Sequence, residues 1–232
     1  MYFGIRSMRV VCALALSALA HAFSSPATAQ DLMLKGNPNS LLEAMRHCLK
    51  AHHGNKLPHY CKYVAKDFVV IKPNSPHHLL VPTTTITGVE DPKLLPPKHP
   101  YWKYAWNEAK RYVPRHRPYQ IGLAINSKHG RSQNQLHIHI ACIKKTVSDA
   151  LHHAKISSKW SHRIKLDNHY FYAIHVKSLD KPDPFQVVHQ KVGAKMQDQT
   201  IVVTGASGGF YILDGRGHGE ALLDKSCGTQ PK

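Results

Sequence analysis

The residues most able to do chemistry lie in one short apolar run, residues 135–142, in which polar and apolar side chains alternate. If this run is a strand, Gln135, His137 and His139 project from one face and the residues between them project into the core. Buried polar side chains are costly without partners, so such a row is more typical of a functional site than of ordinary core. The chain has 19 histidines, and we interpret the pairs at 52–53, 77–78 and 152–153 as solvated loop residues.

Two chemistries suit a strand with histidines at alternate positions. Both histidines could ligate a metal such as zinc, with a third ligand from elsewhere. Alternatively, one imidazole attacks phosphorus while its neighbours bind the phosphate oxygens. The loop that precedes the run favours phosphate, because Asn126, Arg131 and Ser132 supply amide, guanidinium and hydroxyl donors, which are good phosphate donors and poor zinc ligands.

The elements that would position these residues indicate an α+β fold with meander-like strand pairs. Apolar periodicity, turn residues and possible caps predict helices over residues 40–49, 101–113, 148–153 and 185–196. Short apolar runs predict strands over residues 67–72, 78–82, 120–126, 135–142, 170–176, 200–204 and 209–213. We expect the first two strands to be antiparallel neighbours and the last two to form a hairpin.

The composition describes a folded, strongly basic chain. Lysine and arginine number 31 against 14 acidic residues, which gives a formal net charge of +17, and 42% of the residues are hydrophobic. That apolar content excludes a disordered chain, and the positive field concentrates anionic partners. We expect no nucleic-acid partner, because no basic run is interleaved with stacking aromatic residues. An anionic membrane surface is the favoured partner.

The first 29 residues have the pattern of an export signal. Arg6 and Arg9 precede an apolar stretch over residues 10–20, and A-x-A cleavage patterns follow at residues 20–22 and 27–29. We favour cleavage at the second pattern. An uncleaved anchor is the alternative, although the apolar stretch is shorter than the ~20 residues that span a bilayer.

The cysteines predict two disulfides. Cys12 would leave with the signal, and the even set that remains is Cys48, Cys61, Cys142 and Cys227, as is typical of an exported chain. Three pairings are possible; we favour Cys48–Cys61, which closes a short loop, and Cys142–Cys227, which ties down the tail. Buried free thiols are the alternative. None of the spacings is the C-x2-C type of zinc ribbons.

The run over residues 124–140 resembles the histidine triad (HIT) superfamily, whose signature is His-φ-His-φ-His-φ-φ. It is more closely similar to the bacterial CDP-diacylglycerol pyrophosphatase branch. The resemblance includes the early cysteine pair, residues 80–83, 101–102 and 156–160, and Cys227. It implies a HIT-like antiparallel sheet with flanking helices and a C-terminal β-containing extension, all in one domain over residues 30–232.

The resemblance also implies catalytic roles. His137 matches the nucleophile at the centre of the triad, and His139 matches the histidine that helps to bind phosphate. This chain departs from the signature at the first position, where Gln135 replaces a histidine. The glutamine amide can donate a hydrogen bond but cannot carry a charge, so we expect a less electropositive phosphate site and weaker activity.

Four residues of the preceding loop complete the predicted site. By the resemblance, Asn126 and Ser132 contact phosphate or orient the histidines, Gln133 is a further candidate for substrate binding, and Arg131 neutralises substrate charge. The resemblance implies hydrolysis of CDP-diacylglycerol, or of a related nucleotide pyrophosphate, without metal or cofactor. It also implies a periplasmic location at the inner membrane, and homodimers are a further expectation.

Two other functions stay open from the sequence. One is a secreted zinc-binding protein that uses His137 and His139 as ligands. The other is a module that binds anionic lipid or nucleotide and has lost catalysis through Gln135. Stoichiometric zinc in the purified protein would favour the first, and ligand binding without turnover would favour the second.

Overall fold

The computed structural model describes Met1 and residues 36–54, 56–113 and 117–227. Apart from Met1, the predicted signal peptide lies outside the described residues. Within the described ranges the α+β class is confirmed, with four α-helices and ten strands. No helix in these ranges is both long enough and apolar enough to cross a membrane.

Helices and strands are interspersed along the chain. The helices are α1 (Ser40–His53), α2 (Tyr101–Tyr112), α3 (Lys145–His153) and α4 (Pro184–Val192). The strands are β1 (Cys61–Val64), β2 (Phe68–Ile71), β3 (His78–Pro82), β4 (Ile121–Ile125), β5 (Ile138–Ile143), β6 (Ile164–Leu166), β7 (His169–Val176), β8 (Thr200–Ala206), β9 (Gly209–Gly215) and β10 (Leu223–Asp224). A short 3-10 helix, Gly219–Leu222, directly precedes β10.

All ten strands join one antiparallel sheet in the order β1-β2-β3-β5-β4-β8-β9-β7-β6, and β10 pairs with the end of β5. The predicted pairing of β2 with β3 and the predicted β8–β9 hairpin are both confirmed. Strand β5 lies between β3 and β4, and His139 is opposite Leu79 on one neighbour and Ala124 on the other. The strand that carries His139 is therefore held by pairing along both edges.

Alternation along the strands divides the core between the two faces of the sheet. On one face, Ile138 and Ile140 of β5 join the large cluster that also contains Trp102 of α2 and Phe185 of α4. On the other face, Ala141 and Ile143 of β5 pack with residues of α3. His137 and His139 share the parity of Ala141, so they lie on the second face, where alternate side chains of a strand point together.

Four predicted boundaries were wrong by three residues or more; one is the end of α1, which continues past the predicted Leu49 to His53. The strand predicted over residues 135–142 begins at Ile138, because Gln135 forms only an isolated bridge with Thr87. The helix predicted over residues 185–196 ends at Val192, since Gly193 has a φ of 57°, a left-handed conformation that stops a helix. Helix α3 begins three residues before the predicted position, at Lys145. Strands β1, β6 and β10 were not predicted.

The favoured cysteine pairing is confirmed. One disulfide joins Cys48 of α1 to Cys61 of β1, and the other joins Cys142 of β5 to Cys227. The second disulfide fastens the segment after β10 to the strand that carries His139. It therefore restrains the segment around Cys227 against β5.

Serine replacement of Cys142 and Cys227 should destabilise the protein more than serine replacement of Cys48 and Cys61. The sequence separations are 85 and 13 residues, and a longer closed loop removes more entropy from the unfolded chain. We expect free energies of unfolding lower by about 4–5 kcal/mol for the first double variant and about 3 kcal/mol for the second. Guanidinium unfolding of both variants measures the difference, and equal losses would contradict the loop-length argument.

Candidate active site

Two buried imidazoles form the centre of the site. His137 lies just before β5 and His139 lies within it, each with 8% of its surface exposed. Their ring centroids are 5.0 Å apart with the planes inclined at 63°. The predicted juxtaposition of these two histidines is therefore confirmed.

A backbone contact fixes the proton of His137. Its Nδ1 is 2.8 Å from the carbonyl oxygen of Gln135, and a carbonyl can only accept, so Nδ1 carries the proton and donates. The lone pair of the neutral ring is then on Nε2. Burial lowers the pKa of His137, and nearby Arg131 acts in the same direction; the Gln135 carbonyl and Glu220 oppose them. The net effect favours a neutral imidazole with an available Nε2 lone pair.

His139 belongs to a second group on the same face of the sheet. Its Nδ1 is 3.5 Å from Nδ1 of His77, and its Nε2 is 3.2 Å from a carboxylate oxygen of Glu220. Burial, followed by the neighbouring His137 and His77, holds the pKa of His139 well below its usual range. The contact with Glu220 is therefore between a neutral imidazole and a carboxylate.

The interpretation of His77 and His78 as solvated loop residues was wrong, since His78 lies in β3 and stacks on Tyr112. His77 is 5% exposed and packs edge-on against His139, with ring centroids 5.6 Å apart, and burial lowers its pKa. It directly precedes β3, and it has the parity of Leu79, which lies opposite His139. Extending the alternation of β3 back by one residue puts His77 on the same face of the strand as Leu79, and the pairing of β3 with β5 then brings it to the face of His137 and His139.

Glu220 was missed for a different reason. It belongs to the 3-10 helix Gly219–Leu222, far along the chain from β5, and no local motif marks it. Its backbone N–H donates to Oδ1 of Asn126 at 3.3 Å. Asn126, a predicted site residue, is thus buried at the end of β4 and holds the helix that carries Glu220.

The loop before Glu220 is anchored close to the loop before the histidines. The carbonyl oxygen of Gly217 accepts hydrogen bonds from the backbone N–H and the hydroxyl of Ser127. A Cβ on Gly130 would lie 2.2 Å from the same carbonyl oxygen, closer than real contacts allow. The glycine at position 130 therefore permits the two loops to meet.

Gln135 is bound to backbone groups on the other side of the site. Its side-chain NH2 donates to the carbonyls of Pro82 and Thr84 at 3.0 and 2.9 Å, and its side-chain oxygen accepts from the N–H of Ile86 at 3.3 Å. It is 2% exposed. The side chain therefore ties the segment after β3 to the segment that carries His137, and its assignment to substrate binding stays a prediction.

Replacing Gln135 should lower the free energy of unfolding and should not raise kcat. Alanine leaves the buried N–H of Ile86 and the carbonyl of Pro82 without partners, which should lower the free energy of unfolding by about 2–4 kcal/mol. Histidine, the residue of the superfamily signature, has one donor when neutral and cannot replace two donated bonds and one accepted bond. We expect Gln135→His to be less stable than the wild type with no gain in kcat. Denaturant unfolding and steady-state kinetics test this, and a more active or equally stable variant would contradict it.

The other predicted loop residues have different environments. Arg131 makes a two-bonded contact with Glu90, both bonds at 2.6 Å, and its side chain is 6% exposed. Gln133 binds the start of α1, where its side-chain oxygen accepts from the hydroxyl of Ser40 and the N–H of Leu41. Ser132 is exposed. Direct contact of these three residues with substrate stays a prediction.

The zinc hypothesis can be compared with the observed geometry. The described ranges contain one group of three potential metal ligands, which joins His139 to His77 and Glu220. His137 is not a member of that group, and its Nδ1 is already bound to Gln135. The arrangement therefore does not reproduce a site in which His137 and His139 are both ligands.

The structure is an α+β protein in which buried histidines with lowered pKa values lie together at the beginning of β5. The family model for CDP-diacylglycerol pyrophosphatase matches residues 36–231, and the chain belongs to this family of hydrolases. A CDP-diacylglycerol pyrophosphatase from Yersinia pestis is 33% identical, over 71% of this chain and 73% of that protein.

A solved structure was also matched. It is yeast Ap4A phosphorylase Apa2 in complex with Ap4A, with a TM-score of 0.39 and 13% identity. The match covers 66% of this chain, which spans only 57% of the yeast chain. A similarity this low supports no conclusion about the site.

Proposed function

We propose that this chain hydrolyses the pyrophosphate bond of CDP-diacylglycerol to CMP and phosphatidate through a covalent cytidylyl-histidine on His137. Family membership supports the substrate. The observation that carries the mechanism is the bond from Nδ1 of His137 to the Gln135 carbonyl, because it leaves Nε2 as the only nucleophilic atom of that ring. A neutral imidazole with a fixed tautomer is an activated nucleophile.

The reaction has two in-line steps. Nε2 of His137 attacks the phosphorus on the cytidine side, the bond from that phosphorus to the bridging oxygen breaks, and phosphatidate leaves with the electron pair. Water then attacks the same phosphorus and breaks the P–N bond; CMP leaves and His137 is again neutral once the water protons are released. Phosphoryl transfer of this kind depends mainly on positioning and on charge stabilisation.

His139 is the proposed stabiliser of the phosphate oxygens. It packs against His137 and is neutral by virtue of its burial, so it would act as a hydrogen-bond donor rather than as a cation. The net positive charge, which is +15 without Arg6 and Arg9 of the predicted signal, adds a favourable long-range field for a substrate with two phosphates. Asn126 contributes by holding the helix of Glu220 beside the imidazoles.

Turnover of CDP-diacylglycerol in ¹⁸O-labelled water, with a chelator present, tests the proposed reaction. Attack at the cytidine-side phosphorus places the label in CMP and leaves phosphatidate unlabelled. Label in phosphatidate would overturn the direction of attack. Binding of CDP-diacylglycerol without turnover would favour the non-catalytic module, and activity that disappears in chelator would count against the histidine nucleophile.

The pH profile should reflect the lowered pKa of His137. Only the neutral imidazole can attack, so activity is lost as pH falls through the pKa of this residue. Because burial lowers that pKa from its ordinary value of 6.5, we expect the acidic limb of kcat/KM to be centred below pH 6.5. Measurement of kcat/KM between about pH 4.5 and 8 tests this. An acidic limb centred above pH 6.5 would contradict it.

We further propose that the chain is exported and works at an anionic membrane surface, where its lipid substrate resides. The basic composition supports this, since each Lys or Arg near such a surface contributes about 1 kcal/mol of attraction. Sedimentation with vesicles that contain anionic lipid, at low and high salt, would detect the interaction. Homodimer formation stays a prediction that analytical ultracentrifugation can test.

A further inference from the structure

We propose that His77, His139 and Glu220 form a binding site for a divalent metal ion of the zinc type. One nitrogen of each imidazole and one carboxylate oxygen lie within 4.8 Å of one another. The donor atoms around a tetrahedral zinc ion are ~3.3 Å apart, because each lies about 2.0–2.1 Å from the ion. The Nε2 of His139 and the Glu220 oxygen already have a comparable separation of 3.2 Å. The ring of His77 would have to turn to complete the set.

Two buried nitrogen atoms support the proposal independently of these distances. Nε2 of His77 and Nε2 of His139 are both buried and have no hydrogen-bond partner within the described ranges. Buried polar side-chain atoms are nearly always paired. The Glu220 carboxylate is close to Nε2 of His139 yet does not meet hydrogen-bond geometry there. A cation would supply the missing partner of each Nε2 that carries a lone pair; with both rings bound in this way each Nδ1 carries a proton, so the 3.5 Å contact between the two Nδ1 atoms would open.

The donor set selects the class of ion. Two imidazoles and one carboxylate suit zinc and its transition-metal neighbours, whereas Mg²⁺ and Ca²⁺ prefer sets made of oxygen. Three protein ligands leave a fourth position for water or for an anionic oxygen. The three ligands come from separate places in the fold: the residue before β3, strand β5 and the 3-10 helix before β10. This separation explains why no sequence motif indicated them.

The backbone of Glu220 is held by Asn126, whose Oδ1 accepts a hydrogen bond from the Glu220 N–H. Nδ1 of His218 lies 3.9 Å from the second carboxylate oxygen, too far for a hydrogen bond. Outer partners that orient a ligand strengthen metal binding. His137 lies beside the group and keeps its bond to Gln135. Attack by His137 therefore does not require the ion, but Nε2 of His139 cannot donate to a phosphate oxygen while it binds the ion.

Titration of the full chain, purified without a polyhistidine tag, with Co²⁺ in the absence of substrate tests the site. We expect one Co²⁺ per chain, with visible absorption bands of a low-coordinate ion, and displacement by Zn²⁺. His77→Ala and Glu220→Gln should each weaken binding at least ten-fold. His153→Ala, which removes an exposed histidine at the end of α3, is the matched control and should bind as the wild type does.

Unchanged Co²⁺ affinity in both site variants, or no stoichiometric binding by the wild type, would overturn the site. If His77→Ala fails to fold, the Glu220→Gln variant decides the question. The Glu220 side chain is 36% exposed, so this substitution should leave the fold intact. Equal loss in His153→Ala would show binding to surface histidines and would also overturn it. None of these measurements involves CDP-diacylglycerol, so failure of the site leaves the proposed hydrolysis standing.

Discussion

Replacing His137 with alanine is expected to lower kcat for CDP-diacylglycerol hydrolysis by about 10⁴-fold or more, because a nucleophile has no substitute within the site. The covalent intermediate cannot form without Nε2 of this ring. KM should change far less, since the imidazole acts on the reacting phosphorus rather than on the distant parts of the substrate. Steady-state assays with long incubation, run in chelator, measure both constants.

Two controls make the His137 result interpretable. His153→Ala removes an exposed histidine at the end of α3, whose ring contacts His152, and should keep wild-type activity. Loss of the His137 ring also leaves the carbonyl of Gln135 without its donor, which should cost about 1–3 kcal/mol of stability, so thermal unfolding must show that the variant is folded at the assay temperature. A folded His137→Ala variant within ten-fold of wild-type kcat would exclude the histidine nucleophile.

Replacing His139 with alanine should lower kcat by about 10²–10³-fold, the usual effect of removing one donor that stabilises developing charge. The effect is smaller than at His137 because the nucleophile is still present. His139→Gln keeps an N–H donor on a side chain of comparable length, so it should recover part of the loss. Kinetics of both variants in chelator separate the donor role from any bound cation.

The two His139 variants can also contradict the proposed phosphate-binding role of this residue. If His139 only fills space beside His137, alanine should reduce stability more than kcat, and glutamine should give no recovery of activity. Either outcome would remove His139 from the phosphate-binding role. A loss as large as that of His137→Ala, with the covalent intermediate still formed, would instead assign His139 to the hydrolysis of that intermediate.

Local patterning was enough to predict much of the fold. The apolar runs of β2, β3 and β4, the β8–β9 hairpin and the amphipathic helix α2 all appear near their predicted places. Short edge elements such as β6 and β10 were missed, because two or three residues carry too little periodicity to distinguish a strand from a loop. Strand β10 exists through its pairing with β5, which is a tertiary event.

The residues of the site fall into the same two groups: those that local patterning predicts and those that only tertiary packing brings into place. His137 and His139 were predictable, because two positions apart on one strand share a face. His77 and Glu220 reach His139 only through strand pairing and through the packing of the 3-10 helix, which one sequence does not encode locally. For Gln135, the sequence showed that a glutamine replaces the first histidine of the superfamily signature. It could not show the three hydrogen bonds of this side chain to backbone groups, because these depend on the path of residues 82–86.

The most direct test of the proposed mechanism is acid-free quenching of a single turnover, followed by mass spectrometry of the peptide that contains residues 137 and 139. Because P–N bonds of histidine are labile to acid, digestion and separation must be carried out at alkaline pH. A cytidylyl group on His137, present in the wild type and in His139→Ala and absent from His137→Ala, is the predicted result. Full turnover of CDP-diacylglycerol with no cytidylyl adduct, or an adduct that persists in His137→Ala, would contradict it.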